Sequence, residues 1–322
     1  MNRSSEIFKR HPDNPILTAE DVPYASTLVF NAGVTYYQGR YVMVFRNDYG
    51  GHPGSDQFEG TNLGLAFSDD GVTWDVETEP WMAWGTEEIH RVYDPRMTVV
   101  DGRCYICFAV DTRHGIRGGV AVTDDFESWD VLSLSVPDNR NMVLFPGRSD
   151  GNLMRLERPF PIYGRGKPEH FDIWYSDSTD GRCWGNHQLV LGSEEVPWAN
   201  AKIGPGAPPI KTERGWLTFF HAVTIDTDVE LPAWHPDWHK AYMVGMMLLD
   251  LEKTWEVKAL YPDPVMTPKT IYELEGFRGH VLFPGGAILE ADGELKLYYG
   301  AADTSVCLAS CHVETLLELF DE

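Results

Sequence analysis

The segments "NLGLAFSDDGVTWDVE" (Asn62–Glu77) and "GGVAVTDDFESWDVL" (Gly118–Leu132) are two copies of one pattern. Each runs from an apolar strand through an acidic turn to a Trp and a second strand. Weaker copies follow at Phe171–Leu191 and Tyr242–Leu260, and a degenerate fifth, "CLASCHVETLLEL", lies near the C-terminus. A different hairpin precedes each copy. These are "VTYYQGRYVMVFR" (Val34–Arg46), "MTVVDGRCYICFAV" (Met97–Val110), "DGNLMRLERPFPIY" (Asp150–Tyr163), "PIKTERGWLTFFHAV" (Pro209–Val223) and "AILEADGELKLYYGAAD" (Ala287–Asp303). Two hairpins make one four-stranded unit, and five units account for the chain. The expected fold is all-β: a five-bladed β-propeller, one domain over residues 1–322, with its active site on the central axis. A stack of unrelated β-meanders is the competing architecture, and the regular alternation of two hairpin types weighs against it.

Composition narrows the partners. The chain has 322 residues and a formal net charge of -23, with no basic surplus to neutralise nucleic-acid phosphates. Any bound anion therefore needs its own local cluster of Arg and Lys. The first residues, "MNRSSEIFKRHPDNPIL", show no apolar signal-peptide core, and no run of about 18 apolar residues predicts a membrane span. Five unpatterned cysteines in such a chain predict reduced thiols and a cytoplasmic protein. Cys104 and Cys107 have CxxC spacing, but positions i and i+3 of a strand face opposite ways, so buried strand cysteines fit better than a metal or redox pair.

In a propeller the first strand of every blade lines the axis, so residues near the start of each unit converge. Unit one offers Asn31, Arg46, Asn47 and Asp48; unit two offers Asp94 and Arg96. Unit three offers Arg140, Asn141, Glu157 and Arg158, unit four Lys211 and His221, and unit five Asp303. The trio Asp94-Pro95-Arg96, behind Tyr93, reads as a lead-in turn before a strand, with Pro95 fixing the backbone. Arg140, Arg158, Lys211 and His221 come from adjacent units, and cations gathered in so acidic a chain need an anion or carboxylate partners. Phosphate is the natural anion, since Arg forks and a Lys charge satisfy its oxygens. For any one of these residues, a structural salt bridge is the plainer alternative, and His221 alone reads as a satisfied inner-strand histidine. Asp94 is the best candidate for a general acid. Sugar hydrolases normally need two carboxylates. One acid beside several cations points instead to an anionic nucleophile, as in a phosphorylase. The Ile225–Tyr242 loop, with Trp234 and Trp238, suits either stacking on a sugar or covering a blade or subunit face.

The motifs "YDPRMT", "DNRNMVLFP", "RLERPF", "GPGAPPIKTERGWLTFFHA", "LFPGGAI" and "YYGAADT" together resemble the β-mannoside phosphorylases of glycoside hydrolase family 130, in order and over nearly the whole chain. The tract "HGIRGGVAVTDDFESWDVLSLSVPDNRNMVLFP" looks most like that family's mannosyl-glucose-specific branch. The resemblance implies a five-bladed propeller and an inverting glycosyl-transferring enzyme. It implies phosphorolysis of β-1,4-mannosyl-glucose to α-D-mannose 1-phosphate and D-glucose. Asp94 would be the general acid, donating through the 3-hydroxyl of the mannosyl unit. Arg140, Asn141, Arg158, Lys211, His221 and Tyr242 would bind phosphate, and Asn31, Arg46, Asn47, Tyr93 and Asp303 the sugar. No cofactor or metal is expected, only inorganic phosphate as co-substrate; the partners expected are a small β-mannoside and further copies of the chain in a homo-oligomer. Alternatives are a β-1,4-manno-oligosaccharide or mannosyl-N-acetylglucosamine phosphorylase, then a β-mannoside hydrolase or a non-catalytic glycan-binding propeller.

Overall fold

In the computed structural model, which describes residues 7–52, 57–161, 170–225 and 238–321, the repeated acidic turn has one recurring geometry. The Ser68 hydroxyl accepts the Gly71 amide at 2.8 Å while Asp70 Oδ1 accepts the amides of Val72 (2.7 Å) and Thr73 (2.8 Å). Thr123 and Asp125 repeat this on Phe126, Glu127 and Ser128, and Ser178 and Asp180 on Gly181, Arg182 and Cys183. Asp250 makes the carboxylate half of it with Glu252 and Lys253. Short polar side chains that satisfy backbone amides locally favour turns over ladders, which is why the motif ends one strand and starts the next. The backbone amides of Thr73 and Val72 hold the Asp70 carboxyl down at about 2.

Five small antiparallel sheets result. Blade one runs Leu28–Tyr37, Arg40–Tyr49, Gly60–Ser68, Asp75–Val76. Blade two runs Ile89–Val100, Arg103–Thr112, Gly115–Thr123, Asp130–Leu134, and blade three Asn139–Ser149, Asn152–Pro159, Ile173–Ser178, Gly185–Leu191. Blade four has a split inner strand, Ile203–Pro205 and Ile210–Thr212, both paired with Gly215–Ile225, then Lys240–Leu249 and Val257–Leu260. Blade five holds Leu282–Leu289, Glu294–Ala301 and Ser305–His312, and its fourth strand is the N-terminal Lys9–Arg10. The propeller expectation holds, with one correction. After Ser305–His312 the degenerate fifth copy turns into a helix, Val313–Glu318, begun where His312 accepts the Glu314 amide. The chain's other end supplies the missing strand and so closes the ring.

Each interface between neighbouring blades is a hydrophobic core. Val42, Val44, Ile106 and Phe108 join blades one and two, and Val120, Val122, Leu144 and Leu153 join two and three. Phe145, Leu156, Phe220 and Met247 join three and four; Phe219, Met246, Leu297 and Tyr299 join four and five; Met43, Phe45, Tyr298 and Leu308 close five onto one. Strands packed on both faces cannot alternate cleanly between apolar and polar, hence runs such as Tyr41–Phe45. Cys104 packs in the first of these interfaces and Cys107 in the second, as opposite strand faces require. The ring is secured by Arg10 of the closing strand. Its Nε lies 2.7 Å from Glu273 Oε1, and that fully buried carboxylate also accepts the Tyr299 hydroxyl at 2.8 Å. No described helix is long and apolar enough to cross a membrane.

Candidate active site

The inner strands of blades one, two and three share one irregularity. Pairing slips between Phe30 and Gly33, between Tyr93 and Arg96, and between Arg140 and Val143. In each case two residues oppose one, which is a β-bulge. Its first residue is Asn31, Asp94 or Asn141, with φ of 49°, 53° and 56°. Asn and Asp tolerate this left-handed backbone better than other non-glycine residues. The bulge turns three equivalent side chains into one cleft on the axis, with an empty volume of about 450 Å³. Asp94-Pro95-Arg96 is therefore no lead-in turn. It sits inside a continuous strand, Ile89–Val100, where Pro is tolerated because the bulge leaves a position without a ladder partner. The strands stack tightly here: a Cβ on Gly33 would stand 3.0 Å from Arg96 Cα.

One side of the cleft carries the carboxylates. Asp94 Oδ1 accepts Asn31 Nδ2 at 3.0 Å and lies 3.4 Å from Arg46 Nη1. Arg46 is clamped by Asp48 at 2.9 and 2.7 Å, and Thr61 donates to that carboxylate at 2.7 Å. Burial alone would raise the Asp94 carboxyl, but Arg46, Arg96, the Asn31 amide and Arg140 outweigh it and hold the group below the ordinary carboxylate range. Asp303 has the opposite balance. Burial raises it, and the charges of Asp94 and Asp48 add to this against Arg278 and Arg46. Arg278 Nη1 stands 3.5 Å from Asp303 Oδ2.

The other side is cationic. Arg140 and Arg158 both approach the Phe160 ring, each 5.4 Å from its centroid, and Asn141 and Tyr242 complete the wall. Nε of Arg140 and Nε of Arg158 are buried with no hydrogen-bond acceptor among the described residues. Burial, then the like charge of Arg140, pushes Arg158 down to about 9, so it stays charged at neutral pH. Arg158 Nη1 lies 3.0 Å from His221 Nε2. An arginine can only donate, so Nε2 is the acceptor and the proton sits on Nδ1. Burial and then Arg158, with Arg96, Lys202 and Arg140, push His221 well below its ordinary value, and it is neutral. Two guanidiniums with orphaned donors, backed by a neutral histidine, make a site for an anion.

Nine of the residues singled out from sequence line the cleft: Asn31, Arg46, Asp94, Arg140, Asn141, Arg158, Trp238, Tyr242 and Asp303. Lys211 does not, and this is a correction. It is exposed and pairs with Trp216, whereas His221 pairs with Gly204, on the other piece of the split inner strand. Five strand positions separate Trp216 from His221, roughly 17 Å. Blade four's buried cation is Lys202, 8% exposed, which lies behind the cleft wall with its Nζ 5.8 Å from the Tyr242 ring centroid. Asn47 is also displaced. Next to Arg46 on a strand it faces the opposite way, and it donates to the Ala25 carbonyl and to Asn62 Oδ1, each at 3.0 Å. His221 and Tyr93 lie one layer behind the wall. The Tyr93 hydroxyl donates to Asp111 Oδ1 at 2.6 Å. Arg96 Nε donates to the Gly206 carbonyl at 2.9 Å, tying blade two to blade four, while its buried Nη2 has no partner among the described residues. Glu157 is occupied by Arg155, Asn139 and His187 behind Arg158. Trp234 lies outside the described residues. Trp238 lines the cleft, where it stacks on Tyr242 (5.9 Å, 10°) and the Arg278 guanidinium lies 5.0 Å from its ring centroid. Sequence reasoning missed Lys202, Asp111 and Arg278; Arg278, in "EGFRGHVLFP" just before blade five's inner strand, had a position to recommend it. No group of three or more His, Cys, Asp or Glu among the described residues is arranged to hold a metal ion.

The propeller thus sets a buried carboxylate opposite buried guanidiniums on its axis. The family profile of glycoside hydrolase 130, described as beta-1,4-mannooligosaccharide phosphorylase, matches residues 6–322, and the chain belongs to that family. It is 31% identical to the beta-1,4-mannooligosaccharide phosphorylase of Ruminococcus albus, over 97% of this chain and 90% of that protein. It is 26% identical to the 4-O-beta-D-mannosyl-D-glucose phosphorylase of Bacteroides fragilis, over 95% and 77% respectively. Among solved structures, a beta-1,2-mannobiose phosphorylase from Listeria innocua in complex with beta-1,2-mannobiose superposes with a TM-score of 0.83 over 98% of this chain and 99% of that one. At 24% identity, that likeness speaks for the fold. The protein is thus a glycosyl-transferring enzyme of a mannoside phosphorylase family.

Proposed function

We propose that the protein phosphorolyses a β-1,4-linked mannoside with inversion, releasing α-D-mannose 1-phosphate. The observation that carries this is the pairing of Asp94, held by Asn31 and Arg46, with two buried guanidiniums that have spare donors. Phosphate on Arg140 and Arg158, with Lys202 and Tyr242 nearby, would reach C1 from the face opposite the leaving group. Asp94 supplies the proton that the departing sugar oxygen needs. As an ionised group at rest it cannot donate. The bound anion offsets the charges that depress it, so phosphate raises the Asp94 carboxyl toward the protonated form that catalysis requires. Asn31, Arg46 and Asp303 form the wall that would hold the mannosyl unit.

The acceptor is the finer question. Mannosyl-glucose, β-1,4-manno-oligosaccharides and mannosyl-N-acetylglucosamine are the candidate substrates, and the higher identity to the Ruminococcus protein than to the Bacteroides fragilis one supports the second. The test is incubation with each sugar, with and without phosphate, followed by assay of mannose 1-phosphate. Equal turnover without phosphate, yielding free mannose, would overturn phosphorolysis in favour of hydrolysis. In the synthetic direction, preference for glucose over mannose as acceptor would select mannosyl-glucose.

A further inference from the structure

We infer that Asp111 is a positioning residue that acts through the Tyr93 hydroxyl to hold the Arg140 guanidinium at the anion side of the cleft. The inference rests on the phosphorolytic reading. Three groups form a chain across blades two and three. Arg140 Nη1 lies 3.4 Å from the Tyr93 hydroxyl, and that hydroxyl lies 2.6 Å from Asp111 Oδ1. The direction of the chain is fixed by chemistry. A guanidinium has only donors and an ionised carboxylate only acceptors, while a phenol is able to do both. The single phenol proton therefore goes to Asp111, and the oxygen lone pairs are left for Arg140. Without a carboxylate behind it, the phenol is free to rotate its proton toward Arg140, where donor meets donor.

The setting makes this restraint count. Tyr93 is 4% exposed and its ring packs against Arg46, with the guanidinium carbon 5.1 Å from the centroid. The phenol sits between the arginine that pairs with Asp94 and the arginine of the anion side. Burial keeps the hydroxyl protonated far above neutral pH, so it never competes as an anion for Arg140. Arg140 Nε has no acceptor among the described residues, so the Tyr93 contact restrains the orientation of its fork. Asp111 itself stands in the second strand of blade two, in register with Arg91, and does not line the cleft. Its effect on a bound anion has to pass through the phenol.

The test is a double-mutant cycle of Asp111→Ala, which removes the acceptor, and Tyr93→Phe, read as steady-state kinetics in phosphate and in mannoside. Wild-type dependence on phosphate is measured first, and turnover without it would overturn the phosphorolytic reading itself. Given that dependence, each single variant is expected to raise the KM for phosphate about tenfold while the KM for mannoside stays within about twofold. The double variant is expected to match the single ones, because Asp111 has nothing left to act through. A multiplicative, roughly hundredfold loss in the double variant would overturn the inference. So would an unchanged phosphate KM, or an equal rise for mannoside. If Asp111→Ala does not fold, Asp111→Asn keeps an acceptor for the phenol and is expected to retain the wild-type phosphate KM, and a tenfold rise there, or an unchanged phosphate KM in Tyr93→Phe, would overturn the inference.

Discussion

Replacing Asp94 by Asn is expected to move two properties in opposite directions. The amide keeps the shape of the side chain at the bulge and still accepts from Asn31. It removes the proton donor and one negative charge. Positioned general acid catalysis is worth about 10²–10⁴-fold, or roughly 3–5.5 kcal/mol of barrier. Turnover should fall by that factor, measured as mannose 1-phosphate released. Phosphate affinity should rise. Asp94 now offsets Arg46, Arg96 and Arg140, and an anion brought to Arg140 and Arg158 meets its repulsion. A unit charge several ångströms away in a medium of effective dielectric near 20 is worth ~2 kcal/mol. Allowing for the amide dipole and solvent screening, phosphate should bind about tenfold tighter, as read by titration calorimetry. The reasoning fails if the variant keeps turnover within tenfold of wild type. It fails equally if phosphate binds more weakly, because Asp94 would then be supporting the anion site.

Further outcomes follow from the same geometry. Lys202→Ala should raise the KM for phosphate about tenfold or more, whereas Lys211→Ala, on the exposed hairpin, should stay within twofold; the reverse order would restore Lys211 to the site. Phosphate binding should take up protons, because the anion raises a depressed Asp94 carboxyl, and activity should fall as pH rises through that raised value; a binding enthalpy that does not vary with buffer ionisation enthalpy would refute the coupling. Glu273→Gln leaves the Arg10 guanidinium of the closing strand short of its ion pair, and breaking a buried pair costs about 3–5 kcal/mol, visible as a lower denaturant midpoint. Burial raises the Glu273 carboxyl, but Arg10 and the Lys269 and Thr270 amides depress it overall, so its contribution is present above its ordinary 4.5 and lost as pH falls below. The variant's stability should therefore depend less on pH across that acid range, and an unchanged acid slope would count against the pair.

The propeller was legible because its repeat is chemical and local. A Ser or Thr followed two residues later by Asp caps the same turn in three blades, and a Trp follows each time. Blade closure was not legible, since Lys9 and Arg10 pair with Ser310 and Ala309 from the far end of the chain, and two residues carry no periodicity. The cleft residues of blades one to three were found because they flank strongly patterned hairpins. Blade four misled the reading. Its inner strand is broken by Gly206–Pro209, so the well-patterned hairpin that starts at Ile210 lies away from the cleft and the buried Lys202 precedes it. Asn47 failed for a simpler reason: neighbours on a strand face opposite ways, and only Arg46 of that pair can face the axis. Asp111 had no sequence signal at all, because its role depends on a register pairing two strands of blade two.

The three bulges explain why only one of their seats holds an acid, Asp303 being a cleft carboxylate from another blade. Blades one, two and three offer geometrically equivalent seats, filled by Asn31, Asp94 and Asn141. Asn31 Nδ2 donates to Asp94 at 3.0 Å, so a second carboxylate in that seat would stand oxygen against oxygen. Two carboxylates so close cannot both ionise, and one would be driven to hold a proton permanently. Flanking amides avoid this and leave Asp94 responsive to the cations around it. Those cations then have two ways to be neutralised: by Asp94, or by a bound anion that frees Asp94 to take a proton. A second carboxylate would also move the site toward the paired-acid arrangement by which sugars are hydrolysed. On the phosphorolytic reading, the amides at the Asn31 and Asn141 seats keep this cleft from that paired arrangement.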